Sequence, residues 1–350
     1  MSRLFSPPVL KGPLTRNELL KNVFPELSAQ ILGAESFATH ETFGTIYTGV
    51  KSGHILELKK NQSIHLRYGG EQHNCSGSYL DAVDCGRPLG LRFHKKNKDL
   101  LLIADAYYGL YEFNVVTGKH FLLANSNDLF SLNFNARPLR YLNDLDVMED
   151  GETVILSEPS TTFSDRDYLY ALMEHGGDGR LLAYNLVNGE LKVLLDNLQY
   201  PNGVQLEQNG QCVLIAEMGN LQILRLVYCF NNSYTVAVGN LPGYPDNIRL
   251  TENGDLWVPM GGVRFTDDSW LTLRPYLLFT ISFTNFTYVS PKYGLALIVD
   301  SHSGEIKKSF HDPTGVHVPS ISQVRTLTIP LSQDLWFYVA SKELGILQEQ

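Results

Sequence analysis

The sequence of 350 residues lacks a long apolar run. No segment contains the roughly 18 consecutive apolar residues that a membrane-spanning helix requires. Residues 1–21 are rich in proline and contain no apolar run of signal-peptide length. The most apolar stretch, residues 276–289, is interrupted by Thr, Ser and Asn. We therefore expect membrane association or secretion to depend on an N-terminal anchor or targeting segment that this sequence does not contain.

Basic residues are also scarce, because 28 Lys and Arg stand against 37 Asp and Glu and give a net charge of −9. Binding to nucleic-acid phosphates requires a basic face, and none is visible, so we expect no nucleic-acid partner. The Gly-x-Ser-x-Gly motif that carries the nucleophile of α/β-hydrolases is missing as well, which argues against that class.

Cysteine is sparse, with four residues in the whole chain: Cys75, Cys85, Cys212 and Cys229. Cys75 and Cys85 flank a short Gly/Ser-containing loop, so a loop-closing disulfide and two free thiols are both open. Four Asn-x-Ser/Thr sequons favour the disulfide and a secretory or extracellular location. The predicted glycosylation sites are Asn61, Asn74, Asn231 and Asn285.

A repeated turn is the strongest pattern that the sequence does contain. Residues 200–206 (Tyr-Pro-Asn-Gly-Val-Gln-Leu) are echoed by residues 244–250 (Tyr-Pro-Asp-Asn-Ile-Arg-Leu), and a strand pattern follows each copy. This spacing of roughly 40–45 residues is typical of one four-stranded propeller blade. The chain therefore contains successive copies of one structural unit.

Short strands with turn residues between them continue along the chain, and alternating long helices are absent. The sequence predicts an all-β, six-bladed β-propeller with a central calcium site and helical insertions. Five of its cycles are clear, and one is divided between the two ends of the chain. Residues 165–174 predict an inserted helix with Asp165 as its N-cap, and residues 270–291 a second insertion. A short helical stretch is expected at about 17–24. We expect a lead-in segment at 1–34 and a single propeller at 35–350, whose last blade is atypical after about residue 322.

Several cycles open with a polar side chain at a comparable position. Asn and Asp residues often stand there only because they form turns. When they recur at matching positions of successive blades, however, their oxygens face one central channel. Carboxylate and amide oxygens suit Ca²⁺, whereas transition metals favour His or Cys, which these positions lack. The predicted calcium ligands are Glu35, Asn143, Asn202, Asp246 and Asn247.

Nine motifs distributed between about residue 6 and residue 322 resemble those of the strictosidine synthase-like family of six-bladed calcium propellers. They occupy residues 33–36, 85–90, 104–110, 143–145, 166–169, 178–182, 200–206, 245–249 and 311–315. The resemblance extends more distantly to paraoxonases and gluconolactonases. It implies Ca²⁺ bound by the five ligands above, a disulfide between Cys75 and Cys85, and a luminal or extracellular location.

The sequence departs from these families where their catalytic residues stand. The catalytic Glu of strictosidine synthase is matched here by Ser322, within Ser-Ile-Ser, and a paraoxonase His is matched by Leu89. The catalytic residues are therefore unknown. Glu158 and Glu217 lie at strand ends and are candidate general bases, although hydrogen-bonded rim carboxylates are the more frequent case. The pair of His311 and Asp312 is interpreted as part of a turn.

The resemblance and the intact ligand set lead to one main functional hypothesis. It is a calcium-dependent hydrolase of the arylesterase or lactonase type, in which the ion polarises the carbonyl of a small-molecule ester or lactone. The alternative is a non-catalytic luminal or cell-surface binding propeller with a structural calcium ion. Strictosidine synthase chemistry is a third and improbable reading, because the matching Glu is missing.

Overall fold

The computed structural model describes residues 6–26, 31–59, 62–67, 75–125, 137–227, 233–264, 292–328, 335–341 and 345–349. Its strands form six antiparallel sheets. Two 3-10 turns (Gly12–Leu14 and Leu19–Asn22) precede strand β1 (Val23–Glu26). Sheet 1 contains β2 (Phe37–Thr39), β3 (Ile46–Gly49), β4 (His54–Lys59) and β5 (Gln62–Arg67). Helix α1 (Ala82–Cys85) leads to sheet 2, which contains β6 (Pro88–Phe93), β7 (Leu100–Asp105), β8 (Gly109–Asn114) and β9 (His120–Asn125).

The remaining sheets follow in chain order. Sheet 3 contains β10 (Leu145–Val147), β11 (Thr153–Glu158), β12 (Gly179–Asn185) and β13 (Leu191–Leu198). Sheet 4 contains β14 (Pro201–Leu206), β15 (Cys212–Glu217), β16 (Gln222–Val227) and β17 (Ser233–Val238). Sheet 5 contains β18 (Gly243–Pro245), β19 (Arg249–Leu250), β20 (Leu256–Val263), β21 (Gly294–Val299) and β22 (Ile306–Asp312). Sheet 6 joins β1 to β23 (Gln323–Thr328), β24 (Leu335–Ser341) and β25 (Gly345–Glu349). The predicted all-β class is confirmed.

The six sheets are arranged in a closed ring. Neighbouring sheets contact one another in sequence order through inner strands, which are β2, β6, β10, β14, β19 and β23. An isolated parallel bridge joins Asn247 to Gln323 between sheets 5 and 6. The amide of Gln323 then donates a hydrogen bond of 2.9 Å to the Phe37 carbonyl in sheet 1. These contacts bring the inner strands around one central axis.

The apolar core lies between neighbouring sheets. Leu102 and Ala104 of sheet 2 pack with Leu145 and Leu156 of sheet 3, and equivalent clusters join the other neighbours. Alternate residues of each strand face opposite sides of its sheet, so both faces of a central sheet are covered. This packing fixes the inner strands from which the candidate site is built.

The ends of the chain meet in sheet 6. Strand β1 pairs with β25 in antiparallel register, from Val23 opposite Glu349 to Glu26 opposite Ile346. Part of the expected lead-in segment therefore belongs to this sheet. The short helical stretch expected at about 17–24 is correct only in part, because a 3-10 turn covers Leu19–Asn22 and strand β1 begins at Val23. The partner strand supplies backbone hydrogen bonds that override the helical pattern.

A helical insertion connects β11 to β12, as predicted. It consists of a 3-10 turn (Asp165–Asp167) and helix α2 (Tyr168–Glu174). Asp165 is not the N-cap residue, because Ser164 precedes the turn and Asp167 precedes the helix. None of the helices in the described ranges is long and apolar enough to cross a membrane.

One of the remaining predictions, the disulfide, falls on described residues, and the others do not. Cys75 and Cys85 form a disulfide with a Cα–Cα distance of 5.7 Å, which ties the preceding loop to α1. The following predicted positions lie outside the described residues: Asn61, Asn74, Asn231, Asn285, Cys229 and the insertion at 270–291. Their glycosylation, pairing and structure stay predictions.

Candidate metal centre

The five predicted ligands lie at the beginnings of inner strands. Their side chains come from the loops before β2 and β10, from β14, and from the link between β18 and β19. All five are at most 1% exposed. The five residues are Glu35, Asn143, Asn202, Asp246 and Asn247.

Glycine allows these turns to approach one another closely. A Cβ atom on Gly203 would stand 2.4 Å from the Asp246 carbonyl oxygen, and one on Gly90 would stand 2.7 Å from the Asn143 carbonyl oxygen. Real side chains do not tolerate such distances to backbone atoms. The Pro-Asn-Gly turn therefore places Asn202 against the turn that carries Asp246 and Asn247.

Hydrogen bonds complete the connection around the axis. The Asn247 side-chain amide donates to the Glu35 carbonyl at 3.2 Å, and the Asn247 backbone amide donates to the Ser322 carbonyl at 2.9 Å. The Val204 amide donates to Asp144 Oδ2 at 2.8 Å, which ties β14 to the segment containing Asn143. The structure thus brings the five predicted residues to the same end of the ring.

Three amide oxygens of this candidate set lack a protein donor among the described residues. Within the described part of the chain, the side-chain oxygens of Asn143, Asn202 and Asn247 are buried and accept no hydrogen bond. Each such oxygen costs about 1–3 kcal/mol of desolvation if nothing replaces water. A hard cation is a suitable partner for amide and carboxylate oxygens. The residues present therefore fit Ca²⁺.

Gln323 is a further candidate ligand that sequence reasoning missed. Its side chain is fully buried, its nitrogen donates to the Phe37 carbonyl, and among the described residues its Oε1 accepts no hydrogen bond. The parallel bridge to Asn247 places it beside the predicted set. No repeated turn precedes it in the sequence, so the pattern that found Asn202 and Asp246 gave no signal.

The charge of the centre is set by few groups. Arg87 is buried, lies 3.5 Å from Glu35 Oε2 and donates to the Gly33 carbonyl at 2.7 Å. No cluster of three or more His, Cys, Asp or Glu side chains suited to a metal ion occurs within the described ranges. The candidate set contains only two carboxylates, Glu35 and Asp246, and its remaining members are amides.

An aromatic cluster lies beside the candidate centre. The hydroxyl of Tyr141 contacts that of Tyr200 at 2.9 Å and donates to Asp165 Oδ1 at 3.1 Å. Burial, together with the charges of Asp165 and Glu35, raises the pKa of Tyr141 well above 10. Tyr200 has a φ of 53°, which is unusual for a bulky residue and often marks a functional site.

The inserted helix covers this cluster. Leu89, Tyr141 and Met218 form its buried part, against which Tyr168 and Leu172 of α2 pack. Further members are Ala106, Tyr200, Tyr107, Ala171 and Tyr244. Leu89, the position of the paraoxonase His, is thus an apolar packing residue. The insertion excludes water from one side of the candidate centre.

The two candidate bases are occupied by structural contacts. Glu158 accepts from the Arg140 amide at 2.7 Å and pairs with the Arg180 guanidinium at 2.5 Å. Burial raises its pKa, and the Arg180 contact opposes that effect. Glu217 accepts from the Gln199 amide at 2.8 Å and from the Gln222 side chain at 2.6 Å. Neither carboxylate is directed at the candidate centre as a general base.

Asp312 forms a turn, as predicted. Its carboxylate accepts from the backbone amides of residues 314, 315, 317 and 318. His311 contacts Tyr293 and Ser309 through its ring nitrogens, at 2.7 and 2.8 Å. The two residues do not act as a dyad.

Comparison with known proteins supports the family resemblance. Residues 143–229 match the family model of strictosidine synthase. The chain is 36% identical to the adipocyte plasma membrane-associated protein of Gallus gallus, over 91% of this chain and 77% of the relative. It is 34% identical to the protein of the same name from Homo sapiens, over 91% and 76%.

Solved structures share the fold at low sequence identity. A luciferin-regenerating enzyme superposes with a TM-score of 0.60 at 10% identity, covering 93% of this chain and 94% of that chain. The calcium-binding protein regucalcin from Agrobacterium tumefaciens gives 0.57 at 13% identity, covering 95% and 93%. A gluconolactonase from Xanthomonas campestris gives 0.55 at 13% identity, covering 91% and 86%. The fold is therefore a β-propeller.

Proposed function

We propose that this chain, which belongs to the strictosidine synthase-like family of the adipocyte plasma membrane-associated proteins, is a calcium-dependent hydrolase of aryl esters or lactones. The six sheets act as six blades around a central Ca²⁺ ion. Three buried amide oxygens that lack a hydrogen-bond donor carry this proposal, on Asn143, Asn202 and Asn247. The calcium-binding and gluconolactonase names of two structural neighbours agree with it.

The ion would be held by Glu35, Asn143, Asn202, Asp246 and Asn247, with Gln323 as a sixth candidate. When bound, it supplies a Lewis acid that polarises a substrate carbonyl. The chain's own residues then orient the substrate and exclude water. The buried cluster around Leu89 and Met218 supports the side of the centre that helix α2 covers.

The hydroxyl of Tyr141 stays protonated in this arrangement. Its raised pKa keeps the proton on the hydroxyl at neutral pH, so it acts as a hydrogen-bond donor and not as a base. It holds Tyr200 through the 2.9 Å contact between the two hydroxyls. We assign no nucleophile or general base to a residue of this chain.

Calcium titration with an esterase assay tests the proposal. Wild type should bind one ion and hydrolyse phenyl acetate or a lactone faster when loaded than after chelation. The double variant Asn202→Ala, Asp246→Ala should lose both properties. Its matched control is Asn188→Ala, Asp150→Ala, which alters the same residue types in exposed turns. Equal hydrolysis by chelated and loaded wild type would contradict the hydrolase assignment.

A non-catalytic binding propeller with structural calcium is the second candidate. This alternative is supported by two substitutions, because Ser322 and Leu89 stand at positions where the related families carry catalytic residues. Ser322 is buried and its carbonyl accepts from Asn247. Under this alternative, Asp246→Ala lowers the melting temperature of a protein that has no esterase activity to lose. Condensation of an amine with an aldehyde remains improbable, because no carboxylate occupies position 322.

The relatives' name and the disulfide favour a secretory compartment and association with a membrane. We propose a luminal or extracellular location, with membrane contact through an anchor outside these residues. Expression in a secretory host followed by glycosidase digestion tests this. Unchanged electrophoretic mobility would exclude occupancy of Asn61, Asn74, Asn231 and Asn285.

A further inference from the structure

Arginine side chains gather in the ring beyond the candidate cation centre. Arg92 lies on β6, Arg249 on β19 and Arg325 on β23, which are inner strands of three different sheets. Asn247 and Gln323 are joined by a parallel bridge, so Arg249 and Arg325 stand in register two residues further along. Along the axis of the ring, a layer of side-chain oxygens that includes Asn247 and Gln323 is therefore followed by a layer of arginine side chains.

The carboxylates in this layer are already occupied. The Asp144 carboxylate accepts hydrogen bonds from both terminal nitrogens of Arg249, at 2.7 and 3.0 Å. It also accepts one from the Val204 amide. Asp146 accepts from the Leu206 amide at 2.7 Å and from the Gln205 side chain at 3.1 Å. These contacts come from β14 and β19 and fix both carboxylates in place.

Arg92 pairs with one of these acidic residues, Asp146. Its Nε lies 3.4 Å from Asp146 Oδ1, and its terminal nitrogen donates to the Val204 carbonyl at 3.1 Å. Glu41 also faces Arg325 but pairs with Lys98 at the surface. Three guanidinium groups therefore share two buried carboxylates, which leaves one excess positive charge in the layer.

Arg249 has a donor to spare. The residue is 4% exposed, and among the described residues its Nε has no hydrogen-bond partner. Both terminal nitrogens are engaged, by the Asp144 carboxylate and by the Ile248 carbonyl, so the Nε–H is the group of this guanidinium that can bind a further ligand.

We propose that this layer binds a small monovalent anion, of which chloride is the representative, between Arg92, Arg249 and Arg325. One negative charge cancels the excess charge, and the spare Nε–H of Arg249 supplies a donor to it. A divalent oxyanion would leave a negative excess beside Asp144 and Asp146, and a buried uncompensated charge is costly. The site does not depend on the hydrolase proposal, because none of its groups is a predicted calcium ligand.

Thermal unfolding of the full chain, together with a bromide-soaked crystal, tests the site. Melting is measured at constant ionic strength while chloride replaces gluconate, a bulky carboxylate that serves as the non-halide counter-ion. We expect a saturable rise in melting temperature for wild type. Arg325→Gln should weaken the apparent halide affinity by about tenfold, because one charge-assisted contact is lost. Arg140→Gln is the matched control, since Arg140 is exposed.

Arg249 itself is unsuitable for substitution, because its loss would strand the buried Asp144 carboxylate. The crystal therefore provides the independent readout, and an anomalous bromide peak beside Arg249 Nε is expected. Superimposable melting curves in chloride and gluconate would overturn the proposal. A bromide peak without any halide effect on melting would be binding at crystal concentration only, and it would overturn the proposal as well.

Discussion

At the scale of single residues, His311 shows how the fold commits a titratable group to one protonation state. The side chain is fully buried between Tyr293 and Ser309, and Ser309 in turn donates to the Pro13 carbonyl at 2.6 Å. The Asn17 side chain accepts from the His311 amide at 3.1 Å. The histidine therefore belongs to the contact by which the N-terminal segment packs on sheet 5.

This burial predicts a loss of stability in acid. Desolvation, with a smaller contribution from Arg16, lowers the pKa of His311 from 6.5 to about 4. The unfolded chain binds the proton first, so the free energy of unfolding falls as pH drops from about 6.5 to 4. We expect His311→Gln to reduce that fall by about 1–2 kcal/mol.

Denaturant unfolding at pH 7 and pH 4.5 measures this difference. The control is His302→Gln, since His302 is exposed and should leave the pH dependence unchanged. The prediction is wrong if both variants follow the wild-type pH dependence.

The sequence indicated residues of the candidate centre where the signal is local. The two repeated turns pointed to Asn202 and Asp246 because the candidate ligand and the turn residues lie within a few positions of each other. Sequence reasoning missed Gln323 and the arginines Arg92, Arg249 and Arg325. Their proposed roles depend on which strands meet around the axis. Asp144 and Arg249 are far apart in sequence and yet 2.7 Å apart in space. No local pattern encodes that contact.

At the scale of secondary-structure elements, close approach between turns builds the candidate centre. Strand β14 passes the turn carrying Asp246 so closely that only glycine fits at position 203. The sequence pattern predicted the turn itself, but it did not predict that Gly203 serves contact between sheets. The helical stretch expected at 17–24 ends early for a similar reason, because pairing with the distant strand β25 makes residues 23–26 extended.

Gly203→Ala tests this close approach. The added Cβ would lie 2.4 Å from the Asp246 carbonyl and 2.5 Å from the Ile248 amide, so β14 and the Asp246 turn must separate. We expect a loss of about 1–3 kcal/mol in stability, typical of overpacking, and weaker calcium binding. Calorimetric titration and thermal unfolding report the two effects.

The matched control is Gly239→Ala, where the nearest atom would be Val236 Cγ1 at an ordinary 3.5 Å. If Gly203→Ala binds calcium like this control, the spacing of the two turns does not determine the cation site.

At the scale of the whole molecule, the ring depends on residues from both ends of the chain. Strand β1 pairs with β25, and Asn17 and Pro13 contact Ser309 of β22. The sequence predicted that one unit of the ring would be divided between the two ends. It did not indicate which N-terminal residues take part, since residues 23–26 lie in a stretch with a helical pattern.

Deletion of residues 1–26 should therefore weaken the whole ring. It removes the partner of β25 and exposes the backbone donors and acceptors of that strand, which is an aggregation hazard. We expect a lower melting temperature and concentration-dependent association, measured by scanning calorimetry and sedimentation velocity. Deletion of residues 1–11 is the control, because it retains Asn17 and β1. A synthetic peptide of residues 12–26 should restore the melting temperature of the longer deletion. If both deletions melt like the full chain, β1 does not contribute to closure of the ring.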